Sequence, residues 1–75
     1  MFQYLPTQNE LFSPEIGQYR AFGLRVLRVR DEQDEEVMIL PDVSTDFAFT
    51  LRLASLFTER QLDPVHLLDV IVDSI

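Results

Sequence analysis

The nearest approach to a catalytic or metal-binding set in this sequence is His66, Asp69 and Asp73. On a helix, positions i, i+3 and i+7 share a face, so one imidazole and two carboxylates would stand together. One short helix does not close a coordination sphere, and the chain holds a single His and no Cys. The set therefore reads as a solvated polar face, with His66 paired to Asp69 or capping near the helix N-terminus; a packing role for His66 or a partner contact is the alternative. Without Cys there is no thiolate zinc site, thiol nucleophile or disulfide. No Ser sits in a Gly-flanked elbow, and Gly17 and Gly23 alone make no phosphate-cradling loop. The expectation is a non-enzyme that needs no cofactor and no metal.

Two charged features remain. The run Asp31-Glu32-Gln33-Asp34-Glu35-Glu36 lacks the central Gly and the ligand spacing of an EF-hand. It reads as a hairpin tip with Glu35 diagonal to Arg30, an exposed pair worth roughly 0–1 kcal/mol, and as a surface that a partner could touch. Arg20, Arg28 and Arg30 share a strand parity and could offer a row of phosphate contacts, but the acidic run beside them cancels that field. Two helices around a short turn also suggest a DNA-reading pair. Asp69 and Asp73 would then bring negative charge to the groove, so no direct nucleic-acid binding is expected.

The elements that must position these groups follow from periodicity. Gln18 to Arg30, bounded by Gly17 and the acidic run, reads as a strand. Val37-Met38-Ile39-Leu40 reads as another, stopped by Pro41. A loop centred on Gln33 and Asp34 sets Leu27 opposite Leu40 and Val29 opposite Met38, giving one apolar face. The alternation changes phase between Phe22-Leu24-Val26 and Leu27-Val29, which predicts a bulge near Arg25 or Val26 or local cover on both sides. Ser13-Pro14-Glu15-Ile16-Gly17 is a turn folding back a first strand within Phe2 to Phe12, with Pro6 marking an edge strand or a break.

After Pro41 the period becomes 3.6. Ser44 and Thr45 compete as N-caps of a helix to about Arg60, with Asp46 in its first turn. Phe47, Phe49, Leu51, Leu53, Ala54, Leu56 and Phe57 span so wide an arc that burial against more than one neighbour is expected. Asp63 caps a second helix of roughly 12 residues with Pro64 at its first position. Its apolar face is Val65, Leu67, Leu68, Ile71, Val72 and Ile75, opposite His66, Asp69 and Asp73. The prediction is one α+β domain over 1–75: a small antiparallel sheet of about three strands in 1–41, then two C-terminal helices (42–75) packed on one of its faces.

The segments Asp42-Val43-Ser44-Thr45-Asp46, Gln61-Leu62-Asp63-Pro64-Val65-His66-Leu67-Leu68-Asp69-Val70-Ile71 and Tyr19-Arg20-Ala21-Phe22-Gly23-Leu24 resemble a family of short, uncharacterised bacterial proteins, chiefly from Firmicutes, that is a domain of unknown function. The resemblance covers most of 14–75. It implies this organisation and a bacterial source, and carries no activity.

Composition agrees with a folded acidic domain. The 75 residues carry a formal charge of −7 but are 47% hydrophobic and 11% aromatic, too apolar for a disordered acidic tail. A chain of this length has stability of about 4–11 kcal/mol, little with which to hold a strained catalytic centre. No basic leader and no run of 18 apolar residues suggest an export signal or a membrane span, and a cysteine-free domain suits the cytoplasm. The expected function is a protein-interaction or regulatory module with an unidentified protein partner, a homodimer being one form. The alternative is an acidic inhibitor or nucleic-acid mimic seated in a basic protein groove. Asp31, Glu32, Asp34, Glu35, Glu36, His66, Asp69 and Asp73 are the candidate contacts.

Overall fold

The computed structural model describes residues 1–74; Ile75, assigned above to the apolar face of the second helix, lies outside the described residues. Three strands, β1 (Phe2–Ser13), β2 (Gly17–Arg30) and β3 (Gln33–Ser44), form one open antiparallel sheet in the order β1-β2-β3. Helix α1 (Phe47–Arg60) follows, then a 3₁₀ turn (Pro64–His66) that runs into α2 (Leu67–Ser74). This is the expected α+β architecture. The sheet extends past the anticipated boundary at Pro41, to Ser44.

The first hairpin turns where the sequence marks it. Ser13 accepts from Ile16 N at its carbonyl (3.3 Å) and from Glu15 N at its hydroxyl (3.4 Å), and Gly17 supplies a φ of +79°. Pro6 is accommodated because β1 is an edge strand.

The second hairpin turns earlier than expected. Asp31 and Glu32 both adopt positive φ (49° and 67°), the geometry of a tight two-residue turn usually marked by Asn or Gly. Arg30 therefore pairs Gln33, Val29 pairs Asp34, Arg28 pairs Glu35 and Leu27 pairs Glu36. The expected facing of Leu27 with Leu40 and Val29 with Met38 is corrected to Leu24 with Leu40 and Val26 with Met38. The register shift anticipated near Val26 falls between Val26 and Leu27, with Val37 as the extra residue on β3. Pro41 does not end β3: pairing resumes at Phe22 with Ser44, so Pro41, Asp42 and Val43 bow out of the ladder.

Both helices lie on the face of Tyr4, Leu24 and Val26. These pack with Leu53, Ala54 and Phe57 of α1 and Leu67 and Ile71 of α2 in one core. Tyr4 and Phe57 meet edge-on at 5.5 Å between centroids, and Phe22 and Phe47 do so at 5.1 Å. The cap of α1 is Asp46, not Ser44 or Thr45: its carboxylate accepts from Ala48 N (2.9 Å) and Phe49 N (3.3 Å), while the Ser44 hydroxyl accepts from Asp46 N (3.0 Å). Only Thr50, Leu53, Ala54 and Phe57 of α1 are buried, a single stripe against a single layer. Part of the wide apolar arc is thus left uncovered among the described residues, since Phe47, Leu51 and Leu56 stay exposed. Asp63 caps the second helical segment through Val65 N (3.0 Å), but the first turn is 3₁₀ rather than the start of one longer α-helix.

Side chains at the end of α1 and at its C-cap also close part of the β1 edge. Gln61 accepts from Phe2 N (2.8 Å) and donates to Phe2 O (2.9 Å); the Thr58 hydroxyl accepts from Tyr4 N (2.8 Å) and donates to Tyr4 O (3.3 Å). Pro6, next in the same parity, has no N–H to offer. From Phe2 to Pro6 the edge cannot add a further strand in the ordinary way.

Candidate functional site

The acidic run becomes a tip with two kinds of carboxylate. Glu36 pairs with Arg25 at 2.5 Å and Glu35 with Arg28 at 3.9 Å, both across the β2–β3 ladder. The expected partner of Glu35 was Arg30, and the earlier turn moves it to Arg28. Arg28 also lies over the Phe2 ring, 5.7 Å from its centroid. Arg20, the third member of the proposed row, pairs with Glu10 at 3.1 Å. Asp31 and Glu32 in the turn and Asp34 at the start of β3 are exposed and make no ion pair among the described residues. The unneutralised negative charge of the tip is therefore theirs.

The second set lies on the helical segment that ends the chain. His66 is in the 3₁₀ turn and Asp69 and Asp73 are on α2; all three are exposed, and no ion pair joins His66 to Asp69. Among the described residues no cluster of three or more His, Asp or Glu side chains is arranged to hold a metal ion. Beside these polar groups stands an apolar stripe that helical spacing brings together: Val65 (74% exposed), Leu68 (59%) and Val72 (72%). All three were expected in the apolar face of this helix. Leu67 is fully buried and Ile71 nearly so, and a helix resting on one layer buries little more than that pair. No hydrogen bond or ion pair among the described residues links this stripe to the acidic tip.

A third arrangement escaped the sequence reading. The outward bow of Pro41 and Asp42 crosses the face of the sheet opposite the helices, directly over Gly23. A Cβ on Gly23 would stand 1.9 Å from Leu40 O and 2.8 Å from the Pro41 carbonyl carbon. The bow is tied down on both neighbouring strands: Asn9 Nδ2 donates to Pro41 O (3.0 Å) on β1, and the Tyr19 hydroxyl donates to Asp42 Oδ2 (2.8 Å) on β2. Ala21 is fully buried on the same face. The bond to the Asp42 carboxylate holds the Tyr19 phenol above its ordinary pKa, with desolvation and the carboxylate charge adding to it. This strap steadies the ribbon of β1 and β2 that runs on beyond β3 to the exposed Phe12 and Ile16. A Gly in mid-strand was the available signal, since it marks a close backbone approach.

Among the described residues no helix is long and apolar enough to cross a membrane. Residues 2–75 match the model of a family of unknown function, DUF6514. Neither the curated proteins nor the solved structures contain a match to the chain. The chain belongs to the DUF6514 family.

Proposed function

We propose that this DUF6514 protein is a non-enzymatic interaction module that regulates a protein partner, and that it docks through the stripe Val65, Leu68 and Val72. The observation that carries the reading is that these apolar side chains are 59–74% exposed, while Leu67 and Ile71 of the same segment are buried in the core and Val70 packs partly against it. Covering them would gain about 25 cal/mol per Å² of apolar area removed from water. His66, Asp69 and Asp73 border the stripe, so the partner that fits is an apolar groove rimmed by Lys or Arg, in the manner of a helix laid into a groove. The exposed Asp31, Glu32 and Asp34 would add long-range attraction to a basic rim. A bacterial, cytoplasmic setting belongs to the same reading and rests on the family resemblance and the cysteine-free composition.

The test is retention from host extract on the immobilised wild-type chain and on Leu68→Glu/Val72→Glu, after matching their melting temperatures. A protein held by the wild type and lost from the variant supports the docking stripe; equal retention refutes it. A second reading, the acidic inhibitor or nucleic-acid mimic, is favoured by the unpaired charge of the tip together with Asp69 and Asp73. In that case the retained protein binds nucleic acid, is released by salt, and is lost on Asp31→Asn/Glu32→Gln/Asp34→Asn even with the apolar stripe intact.

A further inference from the structure

We infer that the outward face of α1 binds a second copy of this chain, antiparallel, about a two-fold axis. The buried stripe of α1 is Thr50, Leu53, Ala54 and Phe57. Helical spacing puts Ala48, Arg52, Ser55 and Glu59 opposite it, with Leu51 and Leu56 (44% and 41% exposed) on the two shoulders. Leu51, Arg52, Ser55, Leu56 and Glu59 line one shallow, mainly apolar depression.

Charge complementarity selects the occupant. Arg52 and Glu59 have no ion-pair partner in their own chain among the described residues, and at seven positions apart, about 10 Å along the axis, they do not reach each other. The midpoint between them falls between Ser55 and Leu56. A two-fold axis there sets Arg52 of each copy against Glu59 of the other, and Leu56 of each over the small Ser55 of the other. An isologous interface requires such a self-complementary patch. The acidic tip and the acid-bordered face of α2 would instead bring like charges together. Pairing of β1 edges, another route to a dimer, is closed from Phe2 to Pro6 by Gln61, Thr58 and the missing N–H of Pro6. The inference stands apart from the proposed docking of α2, which uses a different face.

Sedimentation equilibrium over low to high micromolar concentration tests it. The wild type is expected to dimerise reversibly. Arg52→Glu and Glu59→Arg each turn two attractive pairs into two repulsive ones and should raise the dissociation constant about tenfold or more; the double reversal should restore it. A wild type monomeric throughout, a single reversal without effect, or a double reversal no tighter than the singles would overturn the inference. Ser55→Cys gives a second readout, because the chain has no other thiol. Mild oxidation should link it as a covalent dimer across the axis, and an equal yield from Asp73→Cys would contradict the geometry.

Discussion

The outward faces of α1 and α2 both leave apolar side chains in water, and they differ in the charges around them. On α1, Leu51 and Leu56 flank one Arg and one Glu placed so that the face complements itself. On the 3₁₀ turn and α2, Val65, Leu68 and Val72 are bordered by Asp69 and Asp73, so the face complements something basic. Exposed apolar area supplies a driving force in both cases and says nothing about the partner. The charged border selects it, because burying a like-charged pair costs more than the adjoining apolar contact returns. The anchorage differs as well. Helix α1 is capped at both ends and hydrogen-bonded into β1 through Thr58 and Gln61, whereas α2 has eight residues and rests on Leu67 and Ile71.

The comparison assumes that one core presents both faces, and the largest perturbation should break both together. Phe57→Ala empties the centre of that core and should cost about 4 kcal/mol, much of the stability available to a chain of this size. Urea unfolding is expected to show a single transition at a far lower midpoint; a variant that lost α2 while keeping α1 would separate the faces. Gly23→Ala should cost about 3 kcal/mol by driving a Cβ into the Pro41 strap. It should lower thermal stability without selecting either helix.

The junction between the helices can be loosened by pH. The Tyr4 hydroxyl donates to Leu62 O at 2.7 Å, and burial, followed by the charge of Asp63, pushes its pKa up to about 12. In the unfolded chain the phenol ionises near 10. The unfolded state therefore loses its proton first as pH rises, and stability that is complete below about pH 10 falls as the pH approaches 12. Tyr4→Phe should flatten that part of the pH–stability profile, leaving only the smaller slope from Tyr19.

The smallest effects on folding carry the most information about the faces. Leu56→Glu and Leu68→Glu alter exposed positions and should each stay within about 0.5 kcal/mol of the wild type. Leu56→Glu should abolish self-association and spare partner capture, and Leu68→Glu should do the reverse. An exchange of those effects would break the comparison.

Much of the fold was legible because its signals are local. Gly17 and Pro14 mark the first turn, the period changes after Pro41, and Asp63-Pro64 marks the second helical start. What escaped depends on contacts that the sequence spells indirectly. The second turn uses Asp31 and Glu32 at positive φ, where no Gly or Asn announces it, and every register assignment downstream moved with that turn. Pro41 reads as a stop but forms a strap, because an edge strand tolerates a missing N–H. The apolar arc of α1 was visible on the wheel, yet its width reported an uncovered surface rather than a second layer of cover. Of the candidate site, Asp31, Glu32, Asp34, His66, Asp69 and Asp73 are exposed with no ion pair among the described residues, while Glu35 and Glu36 are held by Arg28 and Arg25. Sequence spacing grouped them by sign; the ladder divided them by whether an Arg stood opposite.

The division of labour between the two helices is tested most directly by amide chemical shifts followed through a dilution series of the purified chain. The account predicts concentration-dependent shifts at Leu51, Arg52, Ser55, Leu56 and Glu59, with Val65, Leu68 and Val72 unmoved. Shifts centred on α2 or on the β1 edge, with the α1 face unchanged, would contradict it.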